Sequence, residues 1–176
     1  GDEIGAMSRA VQVFKDAMIA NDRLQEELNH HAMHDPLTGA LNRRAFALLA
    51  EKQVAQAART GRPLAVLMLD LDHFKRINDT LGHSGGDATL CRFVAVAGDV
   101  LRAEDVLCRF GGEEFVALLP HAEAAQAVAA AERLRLAFTA TGATVSIGVA
   151  SLRPGEDLED LLRRADHIFL EELHNF

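Results

Sequence analysis

Asp70 closes the apolar run Leu64-Ala-Val-Leu-Met-Leu-Asp70, and Glu113 and Glu114 directly follow the pair Gly111-Gly112. A carboxylate at the mouth of a buried strand has rigid neighbours and is only partly solvated, which suits it to hold a cation. Oxygen ligands of this kind fit Mg²⁺ or Mn²⁺, held by one or two carboxylates together with substrate phosphates. Successive strand residues face opposite sides, so the two glutamates are expected to do different jobs. Glycines let a flat base or a ribose come close to the backbone. The plainer alternative is a tight turn carrying two solvated glutamates. His30, His31 and His34 share a helical stretch without a further ligand, and the absence of a G-x-x-x-x-G-K-[ST] string excludes a P-loop.

The elements that must position these groups are legible in outline. Ile4, Met7, Val11, Phe14 and Met18 recur at alternating spacings of 3 and 4, the seam of a coiled coil, with Leu24 and Leu28 suggesting a shifted register. The reading favoured is a parallel dimeric signalling helix; the alternative is an amphipathic helix folded against the domain. Asp35-Pro36 breaks it. A helix is expected from Asn42 to Arg59, a buried strand over Leu64–Asp70, and a short helix from His73 stopped by Gly82. Another helix fits Asp87 to Leu101, and for Gly85-Gly86 before it a simple loop is the plainer alternative. Two strand-like runs around Gly111-Gly112 read as a β-hairpin. An Ala-rich helix (Glu123 to Phe138), a strand (Thr144 to Leu152) and a helix from Leu158 to about Leu170 complete the order. The pattern predicts an α+β fold whose sheet contains antiparallel strands, with helices packed on one face.

Composition limits what the chain can be. Its 176 residues are 49% apolar and 25% charged, which fits one globular domain plus an appendage. The net charge of −8 and the lack of a basic stripe argue against binding a nucleic-acid polymer. An acidic chain that binds a nucleotide needs a local site that includes a cation. Two cysteines are too few for a disulfide scaffold and point to the reducing cytosol. No apolar run reaches the ~18 residues of a membrane span, and no signal peptide is visible.

Taken together, several blocks carry a resemblance. Arg109-Phe-Gly-Gly-Glu-Glu-Phe115 resembles the signature of the GGDEF family, the diguanylate cyclases, in a GGEEF variant. Asp35-Pro-Leu-Thr-Gly39, Asn42-Arg-Arg44, Asp70-Leu-Asp-His-Phe-Lys75, Ile77-Asn-Asp-Thr80, Gly82-His83, Gly86-Asp87 and Ser146-Ile-Gly-Val149 are similar to further family blocks in the family's order. The likeness runs from about His34 to Asp166. It implies a GGDEF domain over 34–176, with a nucleotidyl-cyclase or ferredoxin-like core of mostly antiparallel sheet flanked by helices. Residues 1–33 would be a long signalling helix whose start resembles the end of a HAMP module, so this portion would be the cytoplasmic part of an inner-membrane receptor.

By similarity, the activity implied is condensation of two GTP into cyclic di-GMP with release of two pyrophosphates. Asp70, Glu113 and the backbone of Leu71 correspond to ligands of Mg²⁺ or Mn²⁺, and Glu114 to a further catalytic or metal-binding group. His73, Phe74 and Lys75 lie where the family holds phosphates, although Lys75 also reads as an exposed helix lysine. Asn78 and Asp87 correspond to the guanine-reading pair, and Gly111 and Gly112 to the turn beside the nucleotide. A carboxylate at position 87 accepts from guanine N1–H and the 2-amino group; adenine offers neither, a penalty of roughly 1–3 kcal/mol.

Arg102-Ala-Glu-Asp105 matches the family's RxxD inhibitory product site, and Arg133 a secondary arginine; an ordinary helix-end salt bridge is the alternative for Arg102 and Asp105. One signature per chain implies a homodimer joined through the N-terminal helix. The tail departs from the family: Ala165-Asp166 begins its pattern, but Leu173 stands where a lysine is expected and the expected arginine is absent, which predicts weaker phosphate binding. A catalytically weak module that binds GTP or cyclic di-GMP is therefore the second reading, and a purely structural dimerisation domain the third.

Overall fold

A computed structural model describes residues 2–174, with side chains through residue 168. Helix α1 (Asp2–Met33) is followed by α2 (Arg43–Thr60), β1 (Leu64–Leu71), α3 (Phe74–Val100), β2 (Val106–Gly111), β3 (Glu114–Pro120), α4 (Ala124–Thr139), β4 (Val145–Ser151) and α5 (Leu158–His174). The chain divides into two compact units, residues 1–34 and 35–176. None of α1's residues is buried, and its stripe of Ile4, Met7, Val11, Phe14 and Met18 is exposed. No helix among the described residues is long and apolar enough to cross a membrane.

Within the second unit the strands form one four-stranded sheet in the order β2-β3-β1-β4, every neighbouring pair antiparallel. A parallel bridge between Leu41 and Cys108 adds to its β2 edge. Central β1 is apolar on both sides because both faces are covered. Leu67, Leu69 and Leu71 pack with Phe93 of α3 and Leu134 and Phe138 of α4. Leu64, Val66 and Met68 join Phe46 and Ala50 of α2 and Leu161 and Ala165 of α5. Helices therefore lie on both faces, not one as the element order suggested. An uninterrupted apolar strand, with no polar alternate residues to meet water, requires that second layer.

Local chemistry sets the ends of the elements. The Asn42 side chain accepts from the Ala45 N–H at 2.9 Å to cap α2, and Gly61, at φ 69°, closes it in the left-handed region. Glu123 and Gln126 form a capping box at the start of α4. The expected stop at Gly82 is instead a break inside α3: Gly82 leaves helical geometry (φ 74°, ψ 174°) and the helix resumes at once. Gly85 and Gly86 are consequently helical and not a loop. A Cβ at Gly85 would lie 2.3 Å from Leu81 Cβ, so the two halves of the broken helix meet too closely there for any side chain.

Candidate active site

The last turn of β1 gathers the acidic residues. Asp70 pairs across the sheet with Glu114 on one side and with Ser146 on the other. The Leu71 N–H donates to the Glu113 carbonyl at 3.2 Å, which ties the strand end to the hairpin turn. The Asp72 N–H donates to the Thr144 carbonyl at 2.9 Å, and the Asp72 carboxylate accepts from the Ser146 hydroxyl at 2.5 Å. Asp70 lines a cleft with Met68, Leu69, Glu114 and Asp166, the last contributed by α5. Its half-buried carboxyl is pushed up to about 7, first by burial and then by the negative charges of Glu113, Glu114, Asp72 and Asp166.

These hard oxygen donors and their uncompensated negative charge fit a divalent cation. Among the described residues no three His, Cys, Asp or Glu side chains form a cage by themselves. The residues present thus suit a Mg²⁺-like ion that takes its remaining ligands from backbone, water and phosphate, more than a closed structural site.

The turn beside them is held from behind. Gly112 has φ 46°, and a Cβ at Gly111 or Gly112 would meet nothing within 4 Å, so the turn borders open space. Arg109 donates to the Gly112 carbonyl through Nε at 3.0 Å and Nη2 at 2.8 Å. Its Nη1 reaches both oxygens of Asp35, at 3.3 and 3.2 Å. Asp35 also accepts from the Thr38 N–H at 2.9 Å and its hydroxyl at 2.7 Å. Burial works to raise the Asp35 carboxyl, but the hydrogen bonds from Thr38 and Arg109 prevail and hold it below its ordinary value.

The nucleotide-side candidates lie on α3. His73 precedes the helix in left-handed geometry (φ 54°) without a side-chain cap hydrogen bond, so the first N–H groups, from Phe74 and Lys75 onward, lack that partner. Lys75 is exposed, Asn78 is half-buried in the first half of the helix, and exposed Asp87 begins the stretch after Gly86.

The RxxD pair lies in the turn between α3 and β2. The Arg102 N–H donates to Asp105 Oδ2 at 2.8 Å, and its guanidinium lies 3.5 Å from Asp105, 3.4 Å from Glu104 and 3.3 Å from the Pro120 carbonyl. The salt-bridge alternative thus describes this arrangement. Asp105 Oδ1 is nevertheless buried without a hydrogen-bond partner. Arg133 is exposed on α4. The Leu173 side chain lies outside the described residues.

The structure sets Asp70 and Glu114 opposite each other on neighbouring strands, with Glu113 at the adjoining turn, and adds four groups that the sequence does not single out. In the sequence, Asp166 only marks where the tail pattern begins, and Asp72 and Ser146 stand inside longer blocks. Asp35 reads as part of a helix-breaking turn; its partner Arg109 lies 74 positions away, and no local pattern links them.

An antiparallel sheet covered on both faces, with carboxylates beside a glycine turn, fits a nucleotidyl-cyclase-like domain, and the solved structures below share that fold. A family model for the diguanylate cyclase GGDEF domain matches residues 32–175, and the chain belongs to that family. It is 39% identical over 150 residues to the diguanylate cyclase DgcM of Escherichia coli K12, covering 82% of this chain and 37% of that protein. It is 40% identical over 160 residues to the response regulator PleD of Caulobacter vibrioides NA1000, covering 82% and 35% respectively. The chain thus spans little more than a third of those relatives. Among solved structures, the coiled coil and GGDEF domain of DgcB from Caulobacter crescentus, in complex with c-di-GMP, matches with a TM-score of 0.83 at 28% identity, covering 92% of this chain and 93% of that one. The active GGEEF domain of a diguanylate cyclase from Vibrio cholerae matches with a TM-score of 0.74 at 32% identity, covering 76% and 91%.

Proposed function

We propose that the chain condenses two GTP molecules into cyclic di-GMP with release of two pyrophosphates, each 3′-hydroxyl attacking the α-phosphate of the opposite nucleotide. The observation that carries this reading is Asp70: a half-buried carboxyl in a cleft shared with Glu114 and Asp166, under the added negative charge of Glu113 and Asp72, near an open glycine turn. Asp70, Glu113 and the backbone of Leu71 would hold Mg²⁺ or Mn²⁺, with Glu114 as a further ligand or catalytic group. Bound there, the ion would offset charge on the triphosphate as it develops at the reacting phosphorus. The N–H groups at the start of α3, from His73 and Phe74, and the Lys75 ammonium would orient the phosphates. Asn78 and Asp87 would read guanine, and Gly111-Gly112 would admit the nucleotide against the backbone.

One site per chain and a product with two joined nucleotides call for two copies facing each other across a twofold axis. The exposed seam of α1 supports a homodimer through that helix. The HAMP-like start supports an upstream membrane sensor in the whole protein, with this portion on the cytoplasmic side of an inner membrane. Arg102, Asp105 and Arg133 would bind the product and feed back on activity.

Leu173 in place of the family's lysine favours a second reading, a module that binds GTP or cyclic di-GMP with little turnover. Incubation with GTP and Mg²⁺, scored for cyclic di-GMP and pyrophosphate, decides between the two. Product formation that Glu114→Gln abolishes supports the enzyme; nucleotide binding without product supports the module.

A further inference from the structure

The break in α3 places a glycine against one of the residues assigned above to guanine. Gly86 is buried and immediately precedes Asp87, in the half of α3 beyond Gly82. A methyl group at Gly86 would lie 1.8 Å from Asn78 Oδ1, 2.9 Å from Asn78 Cγ and 3.2 Å from Phe74 Cζ. The Asn78 carboxamide therefore rests directly on the backbone at Gly86. Neighbouring Gly85 differs in kind: its methyl would strike Leu81 Cβ at 2.3 Å, an atom fixed to the helix, so the helix halves would have to separate. The severe clash falls on the end of a rotatable side chain, the Asn78 amide, which moves by changing rotamer, whereas Phe74 Cζ at 3.2 Å need give only slightly. Gly98, further along the same helix, has nothing within 4 Å of its would-be Cβ, so the close approach is local to the bend.

We propose that Gly86 is a positioning residue for base recognition: its bare backbone is the surface that holds the Asn78 amide in line with the Asp87 carboxylate. This rests on the reading that Asn78 and Asp87 take guanine. A methyl group at position 86 turns the amide away while the fold survives, so the loss falls first on nucleotide affinity.

The test uses 3′-deoxy-GTP, which lacks the attacking hydroxyl, titrated calorimetrically with Mg²⁺ into the full chain and its variants. Asn78→Ala and Gly86→Ala should each weaken binding about tenfold, the scale of one lost hydrogen bond, and the double variant should add nothing. Gly86→Ala should melt near the wild-type temperature, Gly85→Ala well below it, and Gly98→Ala should bind as the wild type does. Wild-type binding by Gly86→Ala beside weakened binding by Asn78→Ala overturns the positioning role alone. Wild-type binding by Asn78→Ala overturns the base-reading assignment and the proposal with it. If Gly86→Ala melts early, recovery of melting temperature in the double variant supports the contact, and failure to recover overturns it.

Discussion

Arg109 grips the carbonyl of Gly112 with two of its nitrogens, at 3.0 and 2.8 Å, and turns its third toward Asp35. The tip of the acidic hairpin is thereby fixed by a planar fork instead of by its own two glycines, whose freedom would otherwise let it wander. Both Arg109 and Asp35 are largely shielded from water, so the contact is better protected from screening than a surface ion pair.

Replacing Arg109 should therefore cost activity before it costs the fold. Arg109→Ala is expected to lower kcat for cyclic di-GMP formation at least about tenfold, with about 1–3 kcal/mol lost in chemical denaturation from the abandoned partners. Arg109→Lys, which keeps the charge and loses the fork, should fall between. Full activity in Arg109→Ala would dismiss the clasp as ornament.

The carboxylates around Asp70 repel one another unless a cation joins them. Asp70→Asn should raise the melting temperature measured in chelator and remove the further rise that Mg²⁺ with a GTP analogue gives the wild type. An unchanged response to Mg²⁺ and analogue would move the ion elsewhere.

Acid should expose a different pair. Arg164 hydrogen-bonds Glu156, with Nε at 2.5 Å, and also donates to the Ser151 carbonyl, joining the loop before α5 to β4. Those hydrogen bonds hold the Glu156 carboxyl below its ordinary 4.5. A carboxyl lowered by folding contributes stability above its unfolded value and loses it as pH falls through the folded one. Arg164→Met should cost about 2–3 kcal/mol in urea unfolding at pH 7, with the gap from wild type narrowing below about pH 4. A gap constant with pH would mean that packing, not charge, sets the cost.

Arg102 already has partners in Asp105, Glu104 and the Pro120 carbonyl. Product binding would have to share or displace them. If Arg102 holds the product as proposed, Arg102→Ala should relieve inhibition by cyclic di-GMP while leaving the initial rate within about twofold, because Arg102 lies outside the proposed catalytic groups. Inhibition that survives the substitution removes the feedback assignment.

The parts of the fold that are legible in sequence are those with local causes. Leu64 to Asp70 reads as a strand because only a doubly covered strand is apolar throughout, and the same fact, pressed further, demands the second helical layer found on α2 and α5. Gly111-Gly112 marks its hairpin correctly because φ 46° at Gly112 suits glycine. Gly82, Gly85 and Gly86 mislead for the opposite reason: glycine usually ends a helix, whereas here one bends it and two let its halves touch. Asp166 in the acidic cleft and the Arg109–Asp35 contact depend on tertiary approach across long stretches of chain, which no local spacing encodes.

Asp70 stands near the end of a strand that is buried along almost its whole length. Its aim is set by the same leucines that keep the domain from melting, so warming has no way to disarm the carboxylate first and spare the scaffold. At a chain concentration that keeps the pair associated, thermal inactivation and thermal unfolding should trace one curve.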